Sequence, residues 1–206
     1  MMTTRFVFFD VGNVILNFSH ERSCRQVAEL IGMDIGQVEE LIFQNGLQNQ
    51  YESGEVTSAV FAAKIRSDSR EMPSIEAVVS AASDIFWVNR EIVPLITALR
   101  MVNFPLGILS NTCAGHWQYV TKTAPLVKLY FTKFILSHES KCMKPNPKIY
   151  RDAIESVGLP PESIFFVDDR PENVEMAQRM GMDSHIYRNA SQVLRLLDDR
   201  GVRLNF

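Results

Sequence analysis

Four short apolar runs each lead into residues able to do chemistry. Phe6–Phe9 (FVFF) runs into Asp10, and Pro105–Leu109 (PLGIL) runs into Ser110, Asn111 and Thr112. Phe134–Leu136 (FIL) ends near Ser137, with Lys144 seven residues further on, and Ser163–Val167 (SIFFV) runs into Asp168 and Asp169. The runs hardly alternate polar with apolar, which is the pattern of strands buried on both faces in a helix-covered parallel sheet. In open α/β sheets, ligands bind in the crevice at the carboxyl ends of the strands. These polar residues are therefore expected to converge on one edge. Three carboxylates on a low-dielectric edge repel one another, and their pKa values rise if nothing offsets them. Lys144 can offset one. A hard divalent cation can offset the rest, and Mg²⁺ typically takes one or two carboxylates together with substrate phosphate oxygens. Asp, Lys, a hydroxyl and Mg²⁺ in one crevice suit phosphoryl transfer by positioning and charge neutralisation.

The segments between the runs read as helices. Glu91–Val102 carries apolar residues at helical spacing, and Pro147–Val157 leads into Gly158, a C-terminal stop. Pro171–Met180 opens on Pro and closes at Gly181, and Ser191–Asp199 makes a last helix. Ser184–Tyr187 is a weaker fifth strand. This alternation predicts an α/β fold, a doubly wound, Rossmann-like parallel sheet with right-handed crossovers. One interval breaks it. Between about Phe18 and Val88 no strand is expected. Helical patterns occupy His20–Ile31, Ile35–Phe43, Thr57–Ile65 and Ser74–Phe86, punctuated by Gly32, Gly46, Gly54 and Pro73. About 70 residues are too many for a simple crossover. They are expected to form a helical cap, residues 18–88, folded over the carboxyl edge of a core made of 1–17 and 89–206.

The 206 residues are 46% hydrophobic and 22% charged, with 10 Gly and 9 Pro, which excludes disordered, collagen-like and disulfide-scaffold chains. A net charge of −3 provides no basic field for nucleic acid and no polybasic membrane patch. Cys24, Cys113 and Cys142 form no CxxC pair, so buried or idle thiols in a reducing compartment are expected. The apolar run Phe6–Phe18 is broken by Asp10 and Asn13 and lacks a small-residue cleavage site. The longest uncharged stretch, Met101–Thr121, is too polar to span a bilayer. The expectation is a cytoplasmic protein acting on a small molecule, with no nucleic-acid or membrane partner and with its oligomeric state left open.

The segments FFDVGNV, LSNT, MKPNPKIY and FFVDDRPENV resemble, in order and spacing, the four motifs of the haloacid dehalogenase superfamily along nearly the whole chain. Within it, DVGNV and QYESGEVT are similar to bacterial sugar-phosphate phosphatases, notably those acting on α-D-glucose 1-phosphate, and to the phosphatase domain of soluble epoxide hydrolases. The resemblance implies that Asp10 is a nucleophile forming an aspartyl-phosphate that water hydrolyses. It implies that the Ser110 hydroxyl and the backbone near Asn111 hold phosphoryl oxygens, and that Lys144 bridges Asp10 and the phosphoryl group. Mg²⁺ would be held by Asp10, the Gly12 carbonyl and Asp169, with Asp168 a second ligand or a ligand through water. Asn173 would orient one of the late carboxylates.

Gly12 departs from the pattern. Phosphatases of the superfamily usually carry a second Asp at that position, whose carbonyl binds metal and whose side chain carries a proton. Gly12 keeps the carbonyl and loses the proton carrier, whose help is worth roughly 10²–10⁴-fold. Dehalogenases share this lack, so a 2-haloacid dehalogenase is one alternative, although the Asp168–Asp169 pair favours a metal that C–Cl displacement does not need. A non-catalytic sugar-phosphate binder is another. A phospho-accepting receiver would place its acidic pair at the first strand, not late in the chain.

Each residue also has a plain structural reading. Asp10 can cap a turn, Ser110 a helix, and the Asp pair the helix that follows. Lys144 can be a loop lysine like Lys141 and Lys148. His20, His116, His138 and His185 show no ligand spacing. His116 and Trp117 follow the second motif closely enough to touch substrate. Phe86 and Trp87 are expected to pack the cap onto the core, and Arg170 to be a solvated charge. Arg25, Gln44 and Gln50 are the cap's candidate specificity residues.

Overall fold

A computed structural model of the chain describes residues 3–67, 69 and 71–204. Its strands are β1 (Phe6–Phe9), β2 (Leu16–Phe18), β3 (Phe86–Val88), β4 (Leu106–Ser110), β5 (Lys133–Leu136), β6 (Ile164–Asp168) and β7 (Asp183–Ile186). Five of them form one parallel sheet in the order β5-β4-β1-β6-β7. At its centre Phe8 pairs with Gly107 on one side and Phe166 on the other. A side chain on Gly107 would start 2.5 Å from the Phe8 ring, so glycine there lets the ring lie across β4. From β1 the chain runs to β4 and β5 on one side and returns to β6 and β7 on the other. Neighbouring strands β1 and β6 thus send their onward connections in opposite directions, and a crevice opens at their carboxyl ends.

The core follows the two-residue alternation of the strands. Val7, Phe9, Ile108, Phe165 and Val167 face one apolar layer, while Phe6, Phe8, Leu109, Ile164 and Phe166 face the other. β1, β4 and β6 are buried along their whole length. β5 is not, contrary to the expectation that every run is covered on both faces, because it is the edge strand and lacks a neighbour on one side.

The helices are α1 (His20–Ile31), α2 (Ile35–Glu39), α3 (Leu47–Glu52), α4 (Ser58–Arg66), α5 (Ile75–Ser83), α6 (Val93–Met101), α7 (Ala114–Thr123), α8 (Leu126–Tyr130), α9 (Ser137–Ser140), α10 (Pro147–Val157), α11 (Pro171–Arg179) and α12 (Ala190–Asp198). One face of the sheet is covered by α6, α8 and α12, whose Ile96, Val127 and Leu197 join Val7 and Phe9. The other is covered by α10 and α11 through Ile149, Tyr150 and Ala177. α1 to α5 gather around an apolar cluster of their own, built on Val27, Ile31, Ile42, Phe61, Ile65 and Val78. Their starts are set locally by capping side chains: Ser19, Asp34, Thr57 and Ser74 each accept from a backbone N–H of the first turn.

Two expectations for this interval need correction. The helical pattern at Ile35–Phe43 is α2 followed by a π-helical turn, Glu40–Gln44. The pattern at Ser74–Phe86 ends as helix at Ser83, and Phe86–Val88 is a strand that pairs antiparallel with Leu16–Phe18. Strands of three residues are too short to show a two-residue period, and this pair closes across a long sequence interval. All three cysteines are free and buried. Among the described residues, no helix is long and apolar enough to cross a membrane.

Candidate active site

At the end of β1, the Asp10 N–H continues the sheet ladder by donating to the Val167 carbonyl at 2.9 Å. A tight turn follows, closed by Asn13 N–H to Leu16 O at 2.7 Å and Leu16 N–H to Val11 O at 2.8 Å. Asn13 sits at φ 54°, a left-handed conformation that asparagine tolerates better than most residues. From there its amide donates to Asp169 Oδ2 at 2.9 Å, joining the turn after β1 to the end of β6.

Asp168 is fully buried and its two oxygens are saturated. The Asn173 amide donates to both, at 2.9 and 3.0 Å, and the Arg170 N–H donates to Oδ1 at 2.9 Å. Asn173 reaches it from the first turn of α11, where Pro171 starts the helix. Lys144 Nζ completes the set at 2.5 Å from Asp168 Oδ2, lies 2.9 Å from Asp10 Oδ1, and donates to the Leu109 carbonyl at 2.8 Å. Its main chain is clamped by one side chain. Asn111 Oδ1 accepts from Lys144 N–H at 2.7 Å, and Asn111 Nδ2 donates to Lys144 O at 2.9 Å. Asn111 therefore acts through its amide on the lysine loop, a role its sequence position did not suggest.

Burial is the largest influence on Asp10 and pushes its carboxyl up to about 7; Lys144 pulls it down, Asp168 pushes it up, and the Ser110 hydroxyl favours the anion by hydrogen bonding. For Lys144, burial works against the ammonium, but Asp10 and Asp168 outweigh it and hold the pKa above the ordinary value. Asp10, Asp168 and Asp169 each offer an oxygen within 4.8 Å of the others. Asp10 Oδ1 is buried, and its approach to Lys144 lacks hydrogen-bond geometry, so it is left without a hydrogen-bond partner among the described residues. An orphaned carboxylate oxygen beside two further carboxylates is an all-oxygen donor set that fits a hard divalent cation.

A cavity of about 60 Å³ adjoins this cluster. Gly12, Ser110 and Thr112 line it from below, with Phe18, His20 and Glu52 from the inserted segment and Phe86, His116 and Trp117 around them. A Cβ on Gly12 would sit 3.0 Å from the Phe18 ring and 3.8 Å from Asp10 Oδ2, so an aromatic edge fills the space a side chain there would enter. Of the residues weighed as substrate contacts, His116 and Trp117 line the cavity, whereas Arg25, Gln44 and Gln50 do not. Arg25 pairs with Glu21, and Gln50 accepts from Lys64. Trp87 is 50% exposed, so only Phe86 of that pair packs inward. Arg170 contributes its backbone N–H to Asp168 while its side chain turns out to Glu172. Glu52 and His20 also line the cavity; Glu52 lies within the QYESGEVT segment, but neither was singled out as a site residue from the sequence.

The family model for haloacid dehalogenase-like hydrolases matches residues 4–181. The chain is 30% identical over 94 residues to a glyceraldehyde 3-phosphate phosphatase of Methanopyrus kandleri, covering 45% of this chain and 40% of that one. It is 26% identical over 128 residues to bifunctional epoxide hydrolase 2 of Mus musculus, covering 61% of this chain and 23% of that one. The chain thus spans less than half the length of either curated relative. Among solved structures, an enzyme of this family from Bacteroides thetaiotaomicron, in complex with magnesium and inorganic phosphate, is 29% identical with a TM-score of 0.79, covering 90% of this chain and 94% of that one. With the family model spanning most of its length and the motif residues gathered at one crevice, the chain belongs to the haloacid dehalogenase-like hydrolase family.

Proposed function

We propose that the protein is a Mg²⁺-dependent phosphatase that hydrolyses a small phosphate ester, a sugar phosphate being the leading class, through an aspartyl-phosphate on Asp10. The observation that carries the reading is the buried Asp10 carboxylate, set between an ammonium, a hydroxyl and two further carboxylates at the switch point of the sheet. A bare anion cluster of this kind is costly, and it becomes useful when positive charge and a phosphoryl group arrive together. The phosphatase name of the Methanopyrus relative and the magnesium–phosphate complex of the Bacteroides enzyme support the same reading.

Asp10 attacks phosphorus, and Lys144 favours its ionised form while offsetting charge on the phosphoryl oxygens. The Ser110 hydroxyl and the backbone N–H groups near Asn111 hold those oxygens. Asn111 fixes Lys144 through its main chain, and Asn173 fixes Asp168, so neither charged group must reorganise during the reaction. The Asp10 side chain, the Gly12 carbonyl and Asp169 would hold Mg²⁺, with Asp168 behind them, and the bound ion supplies charge neutralisation and orientation. Asp169 is the freer of the late pair, since among the described residues only Asn13 hydrogen-bonds its side chain. Residues 18–88 act as a cap over the core of 1–17 and 89–206, and Phe18, His20 and Glu52 of that segment line the cavity beside the carboxylate cluster.

A panel of phosphate esters assayed with and without Mg²⁺, with Asp10→Asn as control, tests this reading. Phosphate release that needs both Mg²⁺ and Asp10 is expected, with the variant at least ~10³-fold slower. Halide release from 2-haloacids would establish the dehalogenase alternative instead, and ester binding without turnover the sugar-phosphate binder.

A further inference from the structure

We infer that Glu52, brought in by the helical insertion, is the proton carrier of this site. The inference rests on the phosphatase reading. Transfer of a phosphoryl group to Asp10 leaves an oxygen that needs a proton, and hydrolysis of the intermediate needs one taken from water. The groups next to Asp10 are committed elsewhere. Lys144 donates to the Leu109 carbonyl and to Asp168, and its ammonium is ion-paired with Asp10. Asp168 is saturated, Asp169 belongs to the carboxylate cluster, and Gly12 has no side chain.

Among the described residues, three titratable ones line the adjoining cavity: His116, His20 and Glu52. His116 is 7% exposed, its Nε2 lies 3.3 Å from the Ala82 carbonyl, and burial lowers its pKa to about 4. His20 is solvent-exposed, stacks on Phe43 at 4.4 Å between ring centroids, and is likewise lowered by burial. Burial thus biases both imidazoles towards the neutral form, which has no acidic proton to spare for a leaving oxygen.

Glu52 is held over the site by its backbone. Its carbonyl accepts from Ser137 Oγ at 2.6 Å, and the same hydroxyl contacts Thr112 N and O at 2.8 and 3.1 Å, on the loop that begins at Ser110. The residues beside it are docked too. Gly115 N–H donates to Tyr51 Oη and Lys141 Nζ to Gly54 O, each at 2.9 Å. Gly54 sits at φ 73°, and a Cβ there would lie 2.3 Å from the His138 carbonyl oxygen. The carboxyl accepts from Gln48 at Oε1, at 2.8 Å, and no hydrogen bond among the described residues uses Oε2. Burial raises its pKa against the pull of Gln48, Arg170 and Lys144, which favours the protonated form. The charged and titratable groups that act on it are Arg170, Lys144 and the Cys113 thiol.

In the first half-reaction the Asp10 oxygen–phosphorus bond forms and the ester phosphorus–oxygen bond breaks. The leaving oxygen takes the electron pair and the Glu52 proton, departing as an alcohol. In the second, water attacks phosphorus and gives its proton to the Glu52 carboxylate. The bond to Asp10 breaks, and inorganic phosphate, Asp10 carboxylate and protonated Glu52 result.

The test compares the native chain, Glu52→Gln and His20→Gln on p-nitrophenyl phosphate and on an alkyl or sugar phosphate. Gln at 52 keeps the carbonyl that accepts from Gln48, and thermal melts check that the variant folds. Glu52→Gln is expected to turn over the alkyl ester roughly 10²–10⁴-fold more slowly. With p-nitrophenyl phosphate it should give a burst of one phenolate per chain and then stall, with a phosphorylated chain visible by intact mass. Native rates on both esters would overturn the inference, as would equal losses on both without a phosphorylated chain, or the same signature in His20→Gln. If the native chain hydrolyses neither ester, the phosphatase reading itself fails, a result distinct from an active native chain with an unaffected Glu52→Gln.

Discussion

Replacing Lys144 with Met keeps a long buried stem and removes the ammonium between Asp10 and Asp168. At an effective dielectric constant of about 20, each ion pair of this length carries about 6 kcal/mol of Coulomb attraction before desolvation. Much of that offsets the cost of burying the charges. What is lost on deleting one partner is about 3–5 kcal/mol, because the carboxylates stay buried without their counter-charge. The carboxylates can escape by taking up protons. Asp10 already has its pKa raised to about 7 beside Lys144, and it rises further when the lysine is gone. A carboxyl whose folded-state pKa lies above its unfolded value binds more protons when folded. Its contribution is therefore intact below the unfolded value of 3.8 and is lost as pH rises through the folded one. The deficit of Lys144→Met should be nearly complete at about pH 8 and less than half as large at about pH 5. For a chain of this size, 1 kcal/mol shifts Tm by about 2–4 °C, so the variant should melt about 6–20 °C below the native protein at the higher pH. Thermal melts of both proteins at the two pH values measure this, and millimolar Mg²⁺ should narrow the gap by supplying positive charge to the cluster. A deficit that is equal at both pH values, or below about 2 °C at the higher one, would refute the electrostatic account of Lys144.

Gly54→Ala should cost roughly 1–2 kcal/mol for its left-handed backbone and more for the contact with the His138 carbonyl, with KM rising as the 51–54 segment lifts. Gly32→Ala, equally left-handed at φ 68° with nothing within 4 Å, is the control in denaturant melts and should lose the backbone component alone. A Cβ in Gly12→Asp meets the Phe18 ring at 3.0 Å and, at ordinary contact distance, Asp10 Oδ2 at 3.8 Å, so a small shift of that ring should let it fold and, placed in Glu52→Gln, recover part of the roughly 10²–10⁴-fold loss on poor leaving groups. The ratio of alkyl to p-nitrophenyl turnover reads this out, and an equal effect on both esters would sink it.

Much of the scaffold was legible because its signals are local. β1 and α10 fall on the residues their patterns predict, since an apolar run, a Pro at a helix start and a Gly at its end act within a few neighbours. The strand-end positions of Asp10, Ser110 and Asp168 followed from the same patterns, and parallel topology was enough to bring them to one edge. Other features depend on which distant surfaces meet. The β2–β3 pair joins two ends of the insertion that no local pattern connects. Asn111 and Lys144 are 33 positions apart, and their amide clamp exists only because β4 and the loop before α10 are packed together. Phe18 fills the space beside Gly12 through the path of the chain after its turn. Glu52 reaches the crevice through a hydroxyl 85 positions away. Residue order thus specified the five strands of the parallel sheet, the helices that cover it and the charged groups at the rim, because backbone preference and side-chain period are short-range properties. Tertiary packing decided the rest: β4 against the loop before α10 set which side chain clamps the lysine, and the inserted segment against the sheet set which side chains fill the cleft and which carboxyl is left free to move a proton, because those contacts arise only between segments far apart in the chain.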